Sequence, residues 1–379
     1  MTTCILHVGM PKTGTSSIQD SLFLGLSDPR FRYIQLTGHP NSAHFLEPLF
    51  RDDYNQLWMH RQKGISKQKI HELKTTFSRK LRRALQRSKK DQTTAIISAE
   101  CCWNYSAGEL QSLRQFIEAC GLDIEVIIYL RPIKSWIESN FQESIKYNVD
   151  FADISQFNRE FRESKISYTD RLKTFEDVFG RQRLTVRPFR KELLVDGCVV
   201  RDFCQAAGIN YTSGLIRRTN DGISQSAVRM LYSYHHFSQH SSQQSFAAHH
   251  LLLMRLGGLK GDPFRLHSDL LAPLLKHIES QNQSILEKYG VDLSENVHAA
   301  DDGPCIRHPE DLLRFSPSSL HWLARESKST PIALREGQAA AHAVASQMVR
   351  LLQQPAWSYR LRRLIYNLRL KFRSFTHAV

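Results

Sequence analysis

The stretch Gly9-Met-Pro-Lys-Thr-Gly-Thr-Ser-Ser17 decides how this chain is read. Ahead of it, Thr3-Cys-Ile-Leu-His-Val8 is short and apolar, the pattern of a buried strand. Behind it, Ile18, Leu22 and Leu26 recur at helical spacing. Strand, glycine-containing loop and helix form the layout of a phosphate cradle, because unpaired loop amides and the positive end of a helix converge on one anion. Gly9 and Gly14 have the spacing that opens a Walker A loop, but that motif then requires Lys and Ser or Thr, whereas Thr15 and Ser16 follow here. The lysine stands inside the loop, at Lys12, displaced from the place where it would reach the β- and γ-phosphates of ATP. Thr13, Thr15, Ser16 and Ser17 add hydroxyl donors to the same turn.

The alternation continues along the chain. Ala95-Ile-Ile-Ser98 and Glu125-Val-Ile-Ile-Tyr-Leu130 are expected as strands, and Leu184-Thr-Val-Arg187 as a weaker one. Helical patterns cover residues 66–90, which are basic and amphipathic, then about Ser106 to Ala119, and Ile133 to Lys146. Pro132 suits a first helical turn, where its missing N–H would have no partner anyway. This order predicts an α/β fold: a parallel central sheet with helices on both faces, of the P-loop type. From about residue 222 the pattern is mainly helical. The expected division is an α/β core over 1–220 and a helical region over 221–379, packed on the core and ending in a basic amphipathic helix.

Composition narrows the function. The 379 residues are 41% hydrophobic and 10% aromatic, enough to fill a real core, which excludes wholesale disorder. No apolar run reaches the roughly 20 residues of a membrane span, and the opening residues lack the basic and apolar regions of a secretory signal. A cytoplasmic chain is expected. Its seven cysteines are odd in number and include no CxxC, against a disulfide framework or zinc ribbon. The formal charge of +14 calls for an anionic partner. Between Arg61 and Lys90, twelve Lys or Arg stand against the single acid Glu72, and a solvated helix face is the plainer account of that run. In the tail, Leu361, Leu364, Ile365, Leu368 and Phe372 share one face among the cations from Arg360 to Arg373. This helix is expected to dock on the body, with peripheral contact to an anionic membrane face as the alternative. The histidines from His235 to His250 have no metal spacing and are expected on a helix surface.

Two further residues complete a constellation. Arg131 ends the Glu125–Leu130 strand, at the edge where ligands bind in open α/β sheets, and Ser139 lies two turns along the next helix. Together with the loop, they resemble the sulfotransferases that use 3′-phosphoadenosine 5′-phosphosulfate (PAPS). Pro11-Lys-Thr-Gly-Thr-Ser16 is similar to their 5′-phosphosulfate loop. Val126-Ile-Ile-Tyr-Leu-Arg131, followed by Pro-Ile-Lys-Ser-Trp-Ile-Glu-Ser139, is similar to their second signature. The close similarity covers about forty residues. A looser one, in Leu184–Arg190 and Arg217-Arg-Thr-Asn220, points toward bacterial carbohydrate-type members.

The resemblance implies that Lys12, Thr13, Gly14, Thr15, Ser16 and Ser17 hold the 5′ end of PAPS, and that Arg131 and Ser139 hold its 3′-phosphate. Arg217 and Arg218, with Asn220, would close over that end. The glycine-rich form of this later loop, known in the branch that acts on small molecules, is not found, which turns the expectation away from phenols and steroids. Lys12 is the expected donor to the bridging oxygen, with no metal required. Glu100 leaves the sheet beside Gly9 and Arg131 and is the first candidate base; His44 is the second, with His39 and Glu47 as further options. Trp136, Phe141 and Phe189 are candidates to sandwich the adenine. The expected acceptor is a hydroxyl or amine of a carbohydrate or glycoconjugate, not a nucleic acid. The alternatives are a P-loop nucleotide phosphotransferase and a non-enzymatic polyanion binder.

Overall fold

The computed structural model describes residues 2–57, 64–147, 167–211, 216, 222–238 and 246–354. Arg217, Arg218, Asn220 and the basic tail from Arg360 to Arg373 lie outside these. The described residues hold a five-stranded parallel sheet made of β1 (Thr3–Gly9), β2 (Phe31–Tyr33), β3 (Thr94–Ser98), β4 (Asp123–Leu130) and β5 (Leu184–Pro188), in the order β2-β3-β1-β4-β5. Helices flank it: α1 (Thr15–Gly25), α2 (Ala43–Phe50), α3 (Lys67–Lys90), α4 (Ala107–Glu118), α5 (Ile133–Tyr147), α6 (Tyr168–Phe179) and α7 (Val199–Ala206). The rest of the described chain is helical, with α8 (Gln225–Phe237), α9 (Phe246–Leu256), α10 (Leu275–Tyr289), α11 (Pro317–Ser327) and α12 (Gly337–Gln353). The fold is α/β, as its alternating pattern predicts.

The period of two along each strand divides the core into layers. Cys4, Leu6 and Val8 of β1 join Val126, Ile128 and Leu130 of β4 in one apolar layer. Ile5, Ile127 and Tyr129 face the other way, against Ile18 and Leu22 of α1 and Phe203 of α7. The first layer runs on into the helical region, where Phe141 of α5 stacks on Phe264 at 5.7 Å and Met230, Leu231 and Met348 belong to the same core. Helix α3 buries only Leu81, Leu85 and Ser88, so its cations stand in solvent.

Several elements are not legible in the pattern. β2 has three residues, too few for alternation to show, and is held at the sheet edge by pairing with β3. Residues 43–50 contain Pro48 and read as irregular, yet they form α2. Helix α1 stops one residue before Leu26, whose N–H bonds to the Leu22 carbonyl at 3.0 Å. His235 departs from its expected surface position: it is half-buried beside His249, their rings 5.9 Å apart, and burial pulls its pKa down to about 4.

Strand direction positions the site. β1 pairs β3 on one side and β4 on the other, with His7 opposite Ser98 and Gly9 opposite Tyr129. The segments that leave β1, β3 and β4 therefore emerge at one edge, in the crevice where the strand order reverses. The β4–β5 side of this edge is pinned by Asp202 of α7, which is fully buried. Its Oδ1 accepts from Tyr129 Oη at 2.6 Å and Arg187 Nε at 2.5 Å; its Oδ2 accepts from Arg187 Nη2 at 2.7 Å and the Val195 amide at 3.2 Å. Removing one partner of a buried ion pair leaves the other uncompensated. Asp202→Ala is therefore expected to cost about 3 kcal/mol of stability, read as a lower urea midpoint at an unchanged slope.

Candidate functional site

The loop after β1 is shaped by two unusual backbone positions. Lys12 has φ 73° and Gly14 has φ 75°. A left-handed conformation costs a residue with a side chain roughly 1 kcal/mol, so Lys12 must be held there. Arg131 holds it: its Nη1 donates to the Lys12 carbonyl at 2.9 Å, while Thr13 Oγ1 donates to the Met10 carbonyl at 2.7 Å and braces the turn from within. Gly9 is required by close approach, since a Cβ there would stand 2.1 Å from Thr15 Oγ1. Gly14 caps α1, and the Ser17 and Ile18 amides bond back to its carbonyl at 2.9 and 3.2 Å.

A cavity of about 800 Å³ opens at this edge. Lys12, Gly14, Thr15, Ser16, Ser17, Glu100, Arg131 and Ser139 all line it, although they come from the ends of three strands and from two helices. Thr13 is buried under the loop and is not part of the lining. His44 stands outside it as well. Helix α2 turns Phe45 and Leu46 inward, which leaves His44 exposed, its ring 4.2 Å from that of His39. Of the aromatic candidates only Phe189 reaches the cavity; Phe141 is fully buried and Trp136 packs on the core. The Arg131 guanidinium lies 5.7 Å from the centre of the Phe189 ring.

Sequence reasoning missed part of the lining. Gln142, Glu143 and Lys146 follow Ser139 at helical spacing and share its face of α5, a signal readable from the period of that helix alone. The segment Gly257–Arg265 also enters the cavity, through Gly257, Leu259, Lys260, Gly261, Pro263, Phe264 and Arg265. A glycine-containing segment of the helical region, far in sequence from Arg217, thus lines the same cavity as Arg131 and Ser139. It is anchored on α5 through Glu138, which accepts from the Leu266 amide at 3.0 Å and from Arg265 Nη1 at 3.1 Å.

The electrostatics favour anions. Among the described residues, six cations line the cavity (Lys12, Arg131, Lys146, Lys191, Lys260 and Arg265) against three carboxylates, Glu100, Glu138 and Glu143. Burial raises the pKa of Glu100, Lys12 opposes that rise, and the charges of Glu143 and Glu47 add to it. Glu100 is thus the kind of carboxylate that can take a proton. Burial lowers the pKa of Arg131 and of Lys146. Thr15 Oγ1 is buried with no protein partner at the start of α1. Among the described residues, no cluster of three or more His, Cys, Asp or Glu is arranged to hold a metal, and no helix is long and apolar enough to cross a membrane.

No protein-family model matches the chain. An uncharacterized protein of Archaeoglobus fulgidus is 30% identical over 118 residues, which are 30% of this chain and 30% of that protein's length. Among solved structures, a sulfotransferase from Alicyclobacillus acidocaldarius matches with a TM-score of 0.40 and 15% identity, over 77% of this chain and 97% of the other.

The site's field can be read directly from one carboxyl. In carbon-13 spectra of labelled protein, Glu100 is expected to titrate above the ordinary glutamate value of 4.5. Lys12→Met should push it higher still, and Glu143→Gln should bring it down. A Glu100 signal that ignores both substitutions would show that the three groups do not share a site.

Proposed function

We propose that this chain is a sulfotransferase that moves the sulfuryl group of PAPS to a hydroxyl or amine of a carbohydrate or glycoconjugate. The observation that carries the reading is the meeting of Lys12, Glu100, Arg131 and Ser139 in one cavity at the start of α1. The donor set suits a doubly phosphorylated nucleotide: the N-terminus of α1 at the cavity, an unpartnered hydroxyl at Thr15, and more cations than carboxylates among the described lining residues. One apolar part of the lining, Phe189, Leu194, Val199 and Val200, follows β5, whereas Glu100 follows β3 on the opposite side of the loop; Ile223, Leu259 and Phe264 add apolar lining from the helical region. The nucleoside is therefore assigned to the β5 side and the acceptor to the Glu100 side. Arg131 and Ser139 take the 3′-phosphate, with Lys260 lining the same cavity. On the family resemblance alone, Arg217 and Arg218, which lie outside the described residues, are assigned to the same end.

In the transfer, the acceptor oxygen or nitrogen forms a bond to sulfur while the bond from sulfur to the bridging oxygen breaks, and the electron pair leaves with the phosphate. Lys12 and the loop amides stabilise the charge on that leaving oxygen, the same work that loop cations do in phosphoryl transfer. Glu100 takes the acceptor's proton; its raised pKa is closer to what a base working near neutrality needs. Glu143, whose charge acts on Glu100, shares its face of α5 with Gln142 and Lys146, a polar stripe of the lining that fits a hydroxylated acceptor better than a flat apolar one.

Calorimetry with 3′-phosphoadenosine 5′-phosphate (PAP) against ATP tests the donor. PAP should bind without magnesium, and Lys12→Ala or Arg131→Ala should abolish transfer of labelled sulfate. Magnesium-dependent binding of ATP alone would replace the reading with a phosphotransferase. Glu100→Gln should bind PAP like the parent and lose about 10²–10⁴-fold in turnover. The base works ionised, so the parent's rate should fall as pH drops through the Glu100 pKa. That fall should begin above the ordinary carboxylate range, because burial has raised the value.

A further inference from the structure

The lysine that the loop offers to an anion already has a partner. Lys12 Nζ donates to Glu143 Oε2 at 3.0 Å, and Lys146 Nζ stands 3.5 Å from the same oxygen. All three side chains are largely covered, with 22%, 34% and 12% of Lys12, Glu143 and Lys146 exposed, and all three line the cavity. Glu143 and Lys146 are one turn apart on the face of α5 that carries Ser139. One carboxylate is thus shared by two ammonium groups. An anion entering the loop can take Lys12 without leaving Glu143 uncompensated, because Lys146 stays with it. Without Lys146 the same release would strand a half-buried carboxylate beside an incoming anion, which is costly.

We propose that Glu143 and Lys146 form an exchange pair: Glu143 holds Lys12 while the loop is free of anion and falls back on Lys146 when the donor arrives. Glu143 is then a competitor for Lys12 and Lys146 is what makes the competitor yield, so both are positioning residues acting through Lys12. The donor's identity rests on the sulfotransferase reading. The exchange itself needs only an anion in the loop.

The test is calorimetric, with PAP and, separately, inorganic pyrophosphate as probes. Glu143→Gln removes the competitor and should tighten both about five-fold; Lys146→Met should weaken both by a similar factor, the scale expected of a partly exposed ion pair. Made on top of E143Q, K146M should lose most of its effect, and E143Q should change nothing once Lys12 is Met, because neighbours that act through one another are not additive. A side chain that merely supports the helix would weaken binding in every variant, so the opposite signs are the decisive readout. Unchanged or weaker binding in E143Q overturns the exchange, as does a K146M effect that is equal in both backgrounds. If the parent binds pyrophosphate but not PAP, and the variants follow the expected pattern, the exchange stands and the sulfotransferase reading falls. If the parent binds PAP and the variants do not follow the pattern, only the exchange is overturned.

Discussion

The hydrogen bond from Arg131 to the Lys12 carbonyl is the constraint on which the site depends. It links the ends of two neighbouring parallel strands. It also fixes a left-handed residue that would otherwise relax into a commoner conformation. The lysine side chain is thereby aimed along α5 and not back toward the sheet. Arg131 is held in turn: its amide lies 3.3 Å from Met10 Sδ, its carbonyl accepts from Tyr168 Oη at 3.0 Å, and its guanidinium lies over Phe189. Because β1 and β4 pair in register through Gly9 and Tyr129, this geometry follows from the sheet and requires no bound ligand.

What the sequence made legible follows from physical range. The strands β1, β3 and β4 and the helices α3, α4 and α5 announce themselves through period and caps, such as Ser66 accepting from the Lys69 amide and the reciprocal box between Ser106 and Glu109. The order of strands then determines which ends share an edge, so Lys12, Glu100 and Arg131 could be grouped from sequence. The setting of His44 is not legible in the sequence, because Pro48 masks a helix whose apolar face takes Phe45 and Leu46 inward. Glu143 and Lys146 were within reach of the same periodic reasoning but carry no motif. Lys260 and Arg265 were beyond it, because they arrive through packing of the helical region on α5, a contact between Phe141 and Phe264 that no local pattern encodes.

Ion pairing within the cavity explains how so many cations coexist there. Arg265 is paired with Glu138 at 3.1 Å and Lys12 with Glu143, while Glu295 adds its charge beside Arg131. The carboxylates do not serve alike. Glu138 is buried and bound to the Leu266 amide as well as to Arg265, so it is a fixed part of the wall. Glu143 is one-third exposed and, among the described residues, bound through ammonium groups alone, in contacts that solvent or another anion can replace.

This difference gives the site two kinds of charge compensation, and the distinction bears on function. A polyanion site made only of free cations would repel itself when empty and grip its product as tightly as its substrate. Fixed pairs such as Glu138 with Arg265 remove part of the self-repulsion permanently, at the cost of some affinity. An exchangeable pair removes it only while the site is empty, and returns as a competitor when a bound anion must go. For a site that must both take up and let go of an anion in the same loop, release is as much a requirement as capture. The position of Glu143, one helical turn beyond Ser139 and within reach of Lys12, is where such a competitor has to stand.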